Sequence, residues 1–318
     1  MSRETPFQAK PKALECAGIR PGASMEQTTL STTASSSRVL PGAGRALALL
    51  LAINLFNYID RYILAAVEPL ISDHYFGVAD ETAQAKTGSL ATFFLLSYMV
   101  LAPVFGAMSD RFSRWMIVAG GVAVWSLASG WSGLSTTFAM LVVSRVFVGV
   151  GEAAYGPAAP TIISDMYPIE RRGLMLSFFY LAIPVGSALG YVIGGYLGKN
   201  YSWRAPFYAV VIPGLVLALL CLFMRDPRTL AGGQAGPKPK LNWEDVKALF
   251  RIKSYVLNTA AMTAMTFAIG GIAFWLPRYL YKDRAADFGG SPDLGHINFI
   301  FGAITAAAGL SATLLGGW

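Results

Sequence analysis

Eight stretches of mostly apolar residues, at roughly 46–70, 87–108, 115–133, 138–162, 174–198, 203–224, 254–280 and 296–318, constrain this chain more than any other feature. Each reaches the length of about 18 residues that a helix needs to cross the hydrocarbon layer. Inside a bilayer only helices and closed barrels satisfy their own backbone N–H and C=O groups. These runs are continuous rather than alternating, so the expected fold class is an all-α membrane protein. The composition agrees: hydrophobic residues make up 54% of the chain and charged residues 14%, against about 25% charged in soluble domains.

The distribution of basic residues orients the spans. With the first segment in the cytoplasm and eight alternating crossings, 17 of the 25 Lys and Arg fall on the cytoplasmic side. Six fall outside (Lys86, Lys199, Arg204, Arg278, Lys282 and Arg284), and Arg61 and Arg145 lie within spans. That asymmetry satisfies the positive-inside rule. The net charge of +7 is therefore a topological signal rather than a nucleic-acid footprint. The expected location is a multi-pass protein of the cell (inner) membrane with a cytoplasmic N-terminus, surrounded by lipid and acting as a monomer.

Four regions follow. Residues 1–44, rich in Ser, Thr, Pro and Gly, read as a disordered cytoplasmic tail. Residues 45–224 form a six-span bundle, and 225–253 a cytoplasmic linker. In the linker, Asn242 can cap a short interfacial helix with Glu244 and Asp245 in its first turn and Arg251 and Lys253 at its end. Trp243, Val246, Leu249 and Phe250 would form its greasy face. Residues 254–318 read as the first two spans of a second bundle whose last four are absent, a layout of transporters built from two halves. Cys16 lies in the tail and Cys221 in a span, and His74 and His296 are far apart, so no metal site or cofactor is indicated. A membrane enzyme is disfavoured, because no nucleophile has a suitable histidine.

Gly149-Val-Gly151-Glu-Ala-Ala154 fits a dinucleotide fingerprint, but that motif needs a preceding strand and a helix start. Here it lies inside an apolar span, where the glycines permit close helix contact. Gly186, Gly190 and Gly194, after Pro184, carry the same spacing of small residues. In "GAMSDRFSR", Gly106 would let one helix approach another, and Asp110 can face the positive end of a helix dipole. Arg111 and Arg114 can hold that turn or meet anionic headgroups.

"NYIDRY" raises the sharpest question, because Asp60 and Arg61 sit near the middle of the first span. A charge there costs about 2.5–3.5 kcal/mol even on lenient insertion scales. Arg145 and Glu152 are seven residues apart in span four, about 10 Å along one helix face. Measured from the outer end, Asp60, Arg145 and Glu152 lie at about 15, 10 and 21 Å. Two carboxylates and two arginines can therefore share one site, either as a static network locking two helices or as a functional polar site. Inside membranes the second is the default.

Several strings together resemble the Spinster branch of the major facilitator superfamily. They are NYIDRY, SYMVLAPVFGAMSDRFSR, GVGEAAYGPAAPTIISD, MLSFFYLAIPVGSALGY, WRAPFYAVVIPG and RDPR, covering most of residues 46–228. The resemblance implies the superfamily fold, with an N-terminal six-helix bundle followed by the first two spans of the C-terminal one. It implies proton-linked transport, by alternating access, of amphipathic lipids such as lysophospholipids and sphingoid phosphates. Asp60 and Glu152 would couple protons, while Arg61, Arg145, Tyr155, Phe178 and Phe179 would line the substrate cavity. Gly106, Asp110, Arg111 and Arg114 match the G-x-x-x-D-R-x-x-R loop that latches the cytoplasmic ends of the two halves. Related organic-anion symporters share an N-Y-x-D-R start and a G-E-A in span four, so a proton-coupled carrier of anionic small molecules is the alternative. A non-transporting membrane scaffold or receptor is a third reading.

Overall fold

The computed structural model describes residues 39–77, 80, 82–230, 243–290 and 293–316. Most of the expected tail, the linker over 231–242 with its Asn242 cap, and the side chains of Trp243, Asp245 and Val246 lie outside the described residues. Among the described residues eight helical stretches are long and apolar enough to cross a membrane.

The first span is α1 (Ala43–Phe76), followed by α2 (Ala83–Arg111) and α3 (Arg114–Leu134). Next come α4 (Phe138–Tyr155), α5 (Ala158–Met166), α6 (Ile169–Asn200) and α7 (Ala205–Leu222). A single turn, α8 (Pro227–Leu230), and α9 (Trp243–Arg251) precede α10 (Lys253–Arg278). A π-helical turn (Tyr279–Asp283) and a short 3₁₀ turn (Ala285–Phe288) lead to α11 (Leu294–Gly316). Many helices outrun the apolar runs that predict them, because intrahelical hydrogen bonding continues into polar ends that no bilayer core constrains. The expected continuous fourth span breaks between Tyr155 and Ala158. Pro157 and Pro160 have no N–H to return to the preceding turn.

Helices in lipid gain nothing from hiding apolar surface, so their association rests on close packing. Here α6 lies along α1 with Gly186, Gly190, Gly194 and Gly198 at the contact. A Cβ at Gly186 would come within 2.7 Å of the Leu55 carbonyl, and one at Gly190 within 2.8 Å of that of Ile59. Gly151 does the same for α4 against α3, where a Cβ would meet the Gly121 carbonyl at 2.6 Å. Gly149, two residues earlier, faces Phe94 and Ser97 of α2. The two glycines of the false nucleotide motif thus seat α4 between two neighbours. Gly106 differs from the expectation: its Cβ would lie 3.8 Å from Pro157, an ordinary contact that alanine could make.

Contacts define the two ends of the bundle. At one, Arg114 meets Asp165 and Asp226, and Leu40 N–H donates to the Met166 carbonyl at 3.1 Å. At the other, the Tyr75 hydroxyl donates to the Ser135 carbonyl and Lys282 binds Asp73. These are called the Arg114 end and the Asp73 end below. Apolar side chains such as Phe223, Ile212, Phe267 and Leu315 are exposed.

Candidate functional site

Asp60, Arg61, Arg145 and Glu152 come together, paired across helices rather than along them. Arg61 of α1 donates from Nε to Glu152 Oε2 of α4 at 3.0 Å, and its Nη2 reaches the same oxygen. Asp60, the neighbouring residue on α1, faces Arg145 of α4, with Nη1 and Oδ2 3.8 Å apart. Adjacent residues of a helix point about 100° apart, so Asp60 and Arg61 cannot serve one partner. The seven-residue spacing of Arg145 and Glu152 supplies each with its own.

A stripe of serines on α3 completes the inner pair. The Ser129 hydroxyl donates to Asp60 Oδ1 at 2.6 Å. Arg145 donates to the Ser132 hydroxyl at 2.6 Å from Nη2 and 3.2 Å from Nε, and Ser132 in turn bonds Ser144 at 2.8 Å. The Arg145 guanidinium also lies 5.2 Å from the Phe207 ring centre. Asp60, Arg145 and Glu152 are each 2% exposed or less. Charges so deep are tolerated only when paired and hydrogen-bonded. Asp60 Oδ2 and Glu152 Oε1 nevertheless lack a hydrogen-bond partner.

Arg61 is different. Its side chain is 30% exposed, and its guanidinium sits 5.0–5.6 Å from the ring centres of Tyr58, Phe94 and Tyr98. The outer pair thus joins a closed carboxylate to an accessible cation framed by aromatic faces.

Two of the other expected cavity residues lie in the core. Tyr155 is buried in the core, its hydroxyl donating to the Leu50 carbonyl at 2.8 Å and its ring beside Trp125 and Phe179. Phe179 is also buried, and its carbonyl accepts from Asn54 Nδ2 at 2.9 Å. Both tie α1 to α4 and α6 instead of lining an open path. Phe178 is 44% exposed.

At the Arg114 end, Arg114 Nη1 donates to Asp165 at 2.6 Å, and its backbone N–H donates to Asp226 at 3.0 Å. Arg228 pairs with Asp110 at 3.5 Å and donates to the carbonyls of Ser109 and Asp110. Arg111 ends α2 and is exposed, while Gly106 lies beside Pro157. The α2–α3 turn is therefore bound to the end of α5 and to the RDPR segment.

Residues 50–318 match the sequence model of the Major Facilitator Superfamily. The chain belongs to that superfamily. It is 39% identical over 285 residues to human protein spinster homolog 1, covering 85% of this chain and 53% of the relative. It is likewise 39% identical over 277 residues to mouse sphingosine-1-phosphate transporter SPNS2, covering 83% of this chain and 49% of the relative. The chain thus spans about half the length of the curated relatives it matches. A bacterial homolog of the human lysosomal transporter Spinster, solved inward-facing and unoccupied, aligns with a TM-score of 0.68 at 26% identity. That match covers 87% of this chain and 62% of the solved one. Membership of this superfamily, together with eight helical stretches long and apolar enough to cross a membrane among the described residues, makes the chain an integral multi-pass membrane protein.

In this major facilitator chain, three functional-looking groups escaped the sequence reading. Ser129 and Ser132 belong to "WSLASGWSGLS", whose serines recur every three residues and so share one face of α3. Glu68 stands in the first span as a third charge, before Pro69. Asp165, in "IISDMYP", closes a span at the level of Arg114.

Proposed function

We propose that this chain carries the proton-coupling half of a secondary transporter for an amphipathic anionic lipid of the lysophospholipid or sphingoid type. The observation that carries the reading is the unequal exposure of a charge-balanced quartet. Two arginines face two carboxylates, and only Arg61 is reachable. A proton on Glu152 removes the negative partner of Arg61 and leaves a free guanidinium among three rings. An anionic headgroup then takes the place of the carboxylate, with the lipid's apolar part against Tyr58, Phe94 and Tyr98. Asp60 and Arg145 form the second, enclosed pair, which exchanges a proton as the cavity changes sides. Rocking of the two halves moves the site between the faces of the membrane. The Arg114 end faces the cytoplasm, where Gly106, Asp110, Arg111 and Arg114 belong to the latch. The sphingosine-1-phosphate named for the mouse relative is one substrate of this chemistry.

The test uses the protein in liposomes with an imposed pH gradient and a labelled lysophospholipid. Gradient-driven lipid movement that disappears in both Asp60→Asn and Glu152→Gln supports the reading. Uptake of soluble carboxylates without lipid movement assigns the same quartet to an organic-anion carrier. Gradient-driven movement surviving in Asp60→Asn removes Asp60 from the coupling role.

A further inference from the structure

The transport reading leaves one buried carboxylate unused. Glu68 of α1 is 0% exposed, eight residues and about 12 Å from Asp60 towards the Asp73 end. Its Oε1 accepts from the Thr87 hydroxyl of α2 at 2.5 Å and from Arg278 Nη1 of α10 at 2.8 Å. Its Oε2 is buried with no hydrogen-bond partner. A lone static pair would gain by using both oxygens, since a buried acceptor left unsatisfied costs about 1–3 kcal/mol.

The position of this pair on α10 gives it a role. From Lys253 to Ile272 every residue of α10 is exposed, and burial begins only at Ala273. Among the described residues the ties of α10 to the first six spans crowd into its last turns. The Tyr191 hydroxyl donates to the Ala273 carbonyl, and Phe274 packs against the cluster of Ala65, Ala66 and Tyr191. Trp275 lies against Gly88, and Arg278 binds Glu68. One turn further, within the π-helical segment, Lys282 donates to both oxygens of Asp73 at 2.6 and 2.7 Å. Lys199 and Asp293 join α6 to α11 at the same end. π-helical turns concentrate at functional positions. Helix α10 is thus clamped at the Asp73 end and free of α1 along the rest of its length.

We propose that Glu68 is a third proton-accepting carboxylate of the transporter, beside Asp60 and Glu152, and that its protonation releases Arg278 and opens the Asp73 end. The inference rests on the transport reading above. A proton from the water at that end adds to Oε2, giving a neutral carboxyl group that keeps the Thr87 bond. Arg278, 15% exposed, retains its charge and turns towards water. The charged groups facing Glu68 are Arg278 from α10 and Asp73 from α1, with Thr87 its uncharged neighbour from α2. Lys282 neutralises Asp73, so breaking the Arg278 pair frees the inner half of the clamp first. Because α1 carries both Asp60 and Glu68, movement at the clamp is transmitted to the quartet through one helix.

The experiment places one reporter cysteine, Phe274→Cys, in a Cys16→Ser, Cys221→Ala background, and measures labelling by a membrane-impermeant maleimide added at the Asp73 side. The label supplies a readout independent of substrate. Labelling should rise as the pH on that side falls from about 7.5 to 5.5, after correction for maleimide reactivity using an exposed control cysteine. Glu68→Gln should raise labelling about tenfold at pH 7.5 and abolish the pH response. The exchange Glu68→Arg with Arg278→Glu should restore slow labelling. Asp60→Asn should lose lipid transport yet keep the labelling response, which separates failure of the gate from failure of the transport reading. Equal, pH-independent labelling in wild type and Glu68→Gln would overturn the proposal, as would a pH response that persists in Glu68→Gln.

Discussion

Two Arg–Asp pairs in this molecule have nearly the same separation and opposite surroundings. Asp60 and Arg145 lie 3.8 Å apart at the bundle centre, with side-chain exposures of 1% and 2%. Asp110 and Arg228 lie 3.5 Å apart at the Arg114 end, with exposures of 63% and 32%. Distance alone would rank the second above the first. Solvent reverses the order, because water screens the surface pair and would stabilise its partners if they separated. The central pair has no such refuge, so its members depend on each other and on Ser129, Ser132 and Ser144.

The comparison can be broken at its strongest point first. Arg145→Met should destabilise the protein by about 3–5 kcal/mol, because it strands the Asp60 carboxylate in the interior. Adding Asp60→Asn should recover much of that loss, whereas Arg228→Met should cost about 0–1 kcal/mol. Thermal unfolding in detergent measures all three, and equal losses for Arg145→Met and Arg228→Met would end the distinction.

Packing offers a second, smaller contrast between the interior and the Arg114 end. Gly190→Ala should cost about 1–3 kcal/mol, since its methyl group would meet the Ile59 carbonyl. Gly106→Ala should be neutral or stabilise by up to about 1 kcal/mol, because the helix gains Ala propensity without a clash. The two melting temperatures should therefore move apart, and a matching fall for both would show that the α1–α6 contact is not special.

The smallest effect belongs to a partly exposed surface carboxylate. In the loop between α1 and α2, Asp80 accepts from Lys86 and from the hydroxyl and N–H of Thr82. These donors, Lys86 foremost, lower its pKa to about 2. A folded-state value below the unfolded one, about 3.9, contributes stability above that unfolded value and loses it as pH falls through about 2. The melting-temperature gap between wild type and Asp80→Asn should be constant above about pH 5 and close on acidification through that window. At the same end Asp293 is lowered chiefly by Lys199, with the same sign. A gap that widened on acidification would refute the assignment.

Much of the fold could be read before any coordinates. Length and hydropathy determine the eight crossings, and the cost of intramembrane charge singled out Asp60, Arg61, Arg145 and Glu152. Their partner choice could not be read, because it depends on the rotation of α1 against α4. Tyr155 and Phe179 look like cavity aromatics in sequence, yet their hydrogen bonds to Leu50 and Asn54 place them in the core. Gly106 belongs to a recognisable motif, but whether a glycine is needed there depends on the 3.8 Å to Pro157. Glu68 passed unnoticed because its partner Arg278 is 210 residues away.

What the sequence determined by itself was therefore local and one-dimensional: which segments are apolar enough to cross, where prolines interrupt them, and which residues are too costly to bury without purpose. Each depends on a residue and its neighbours along a single helix. Tertiary structure alone decided the crossed pairing of the quartet, the serine lining of Asp60 and Arg145, and the clamp of α10 on α1. Those depend on the relative depth and rotation of helices, which are held by close approaches such as those at Gly151, Gly186 and Gly190, where an added Cβ would clash with the facing carbonyl. A one-residue change in register turns a helical side chain by about 100°, enough to exchange one partner for another.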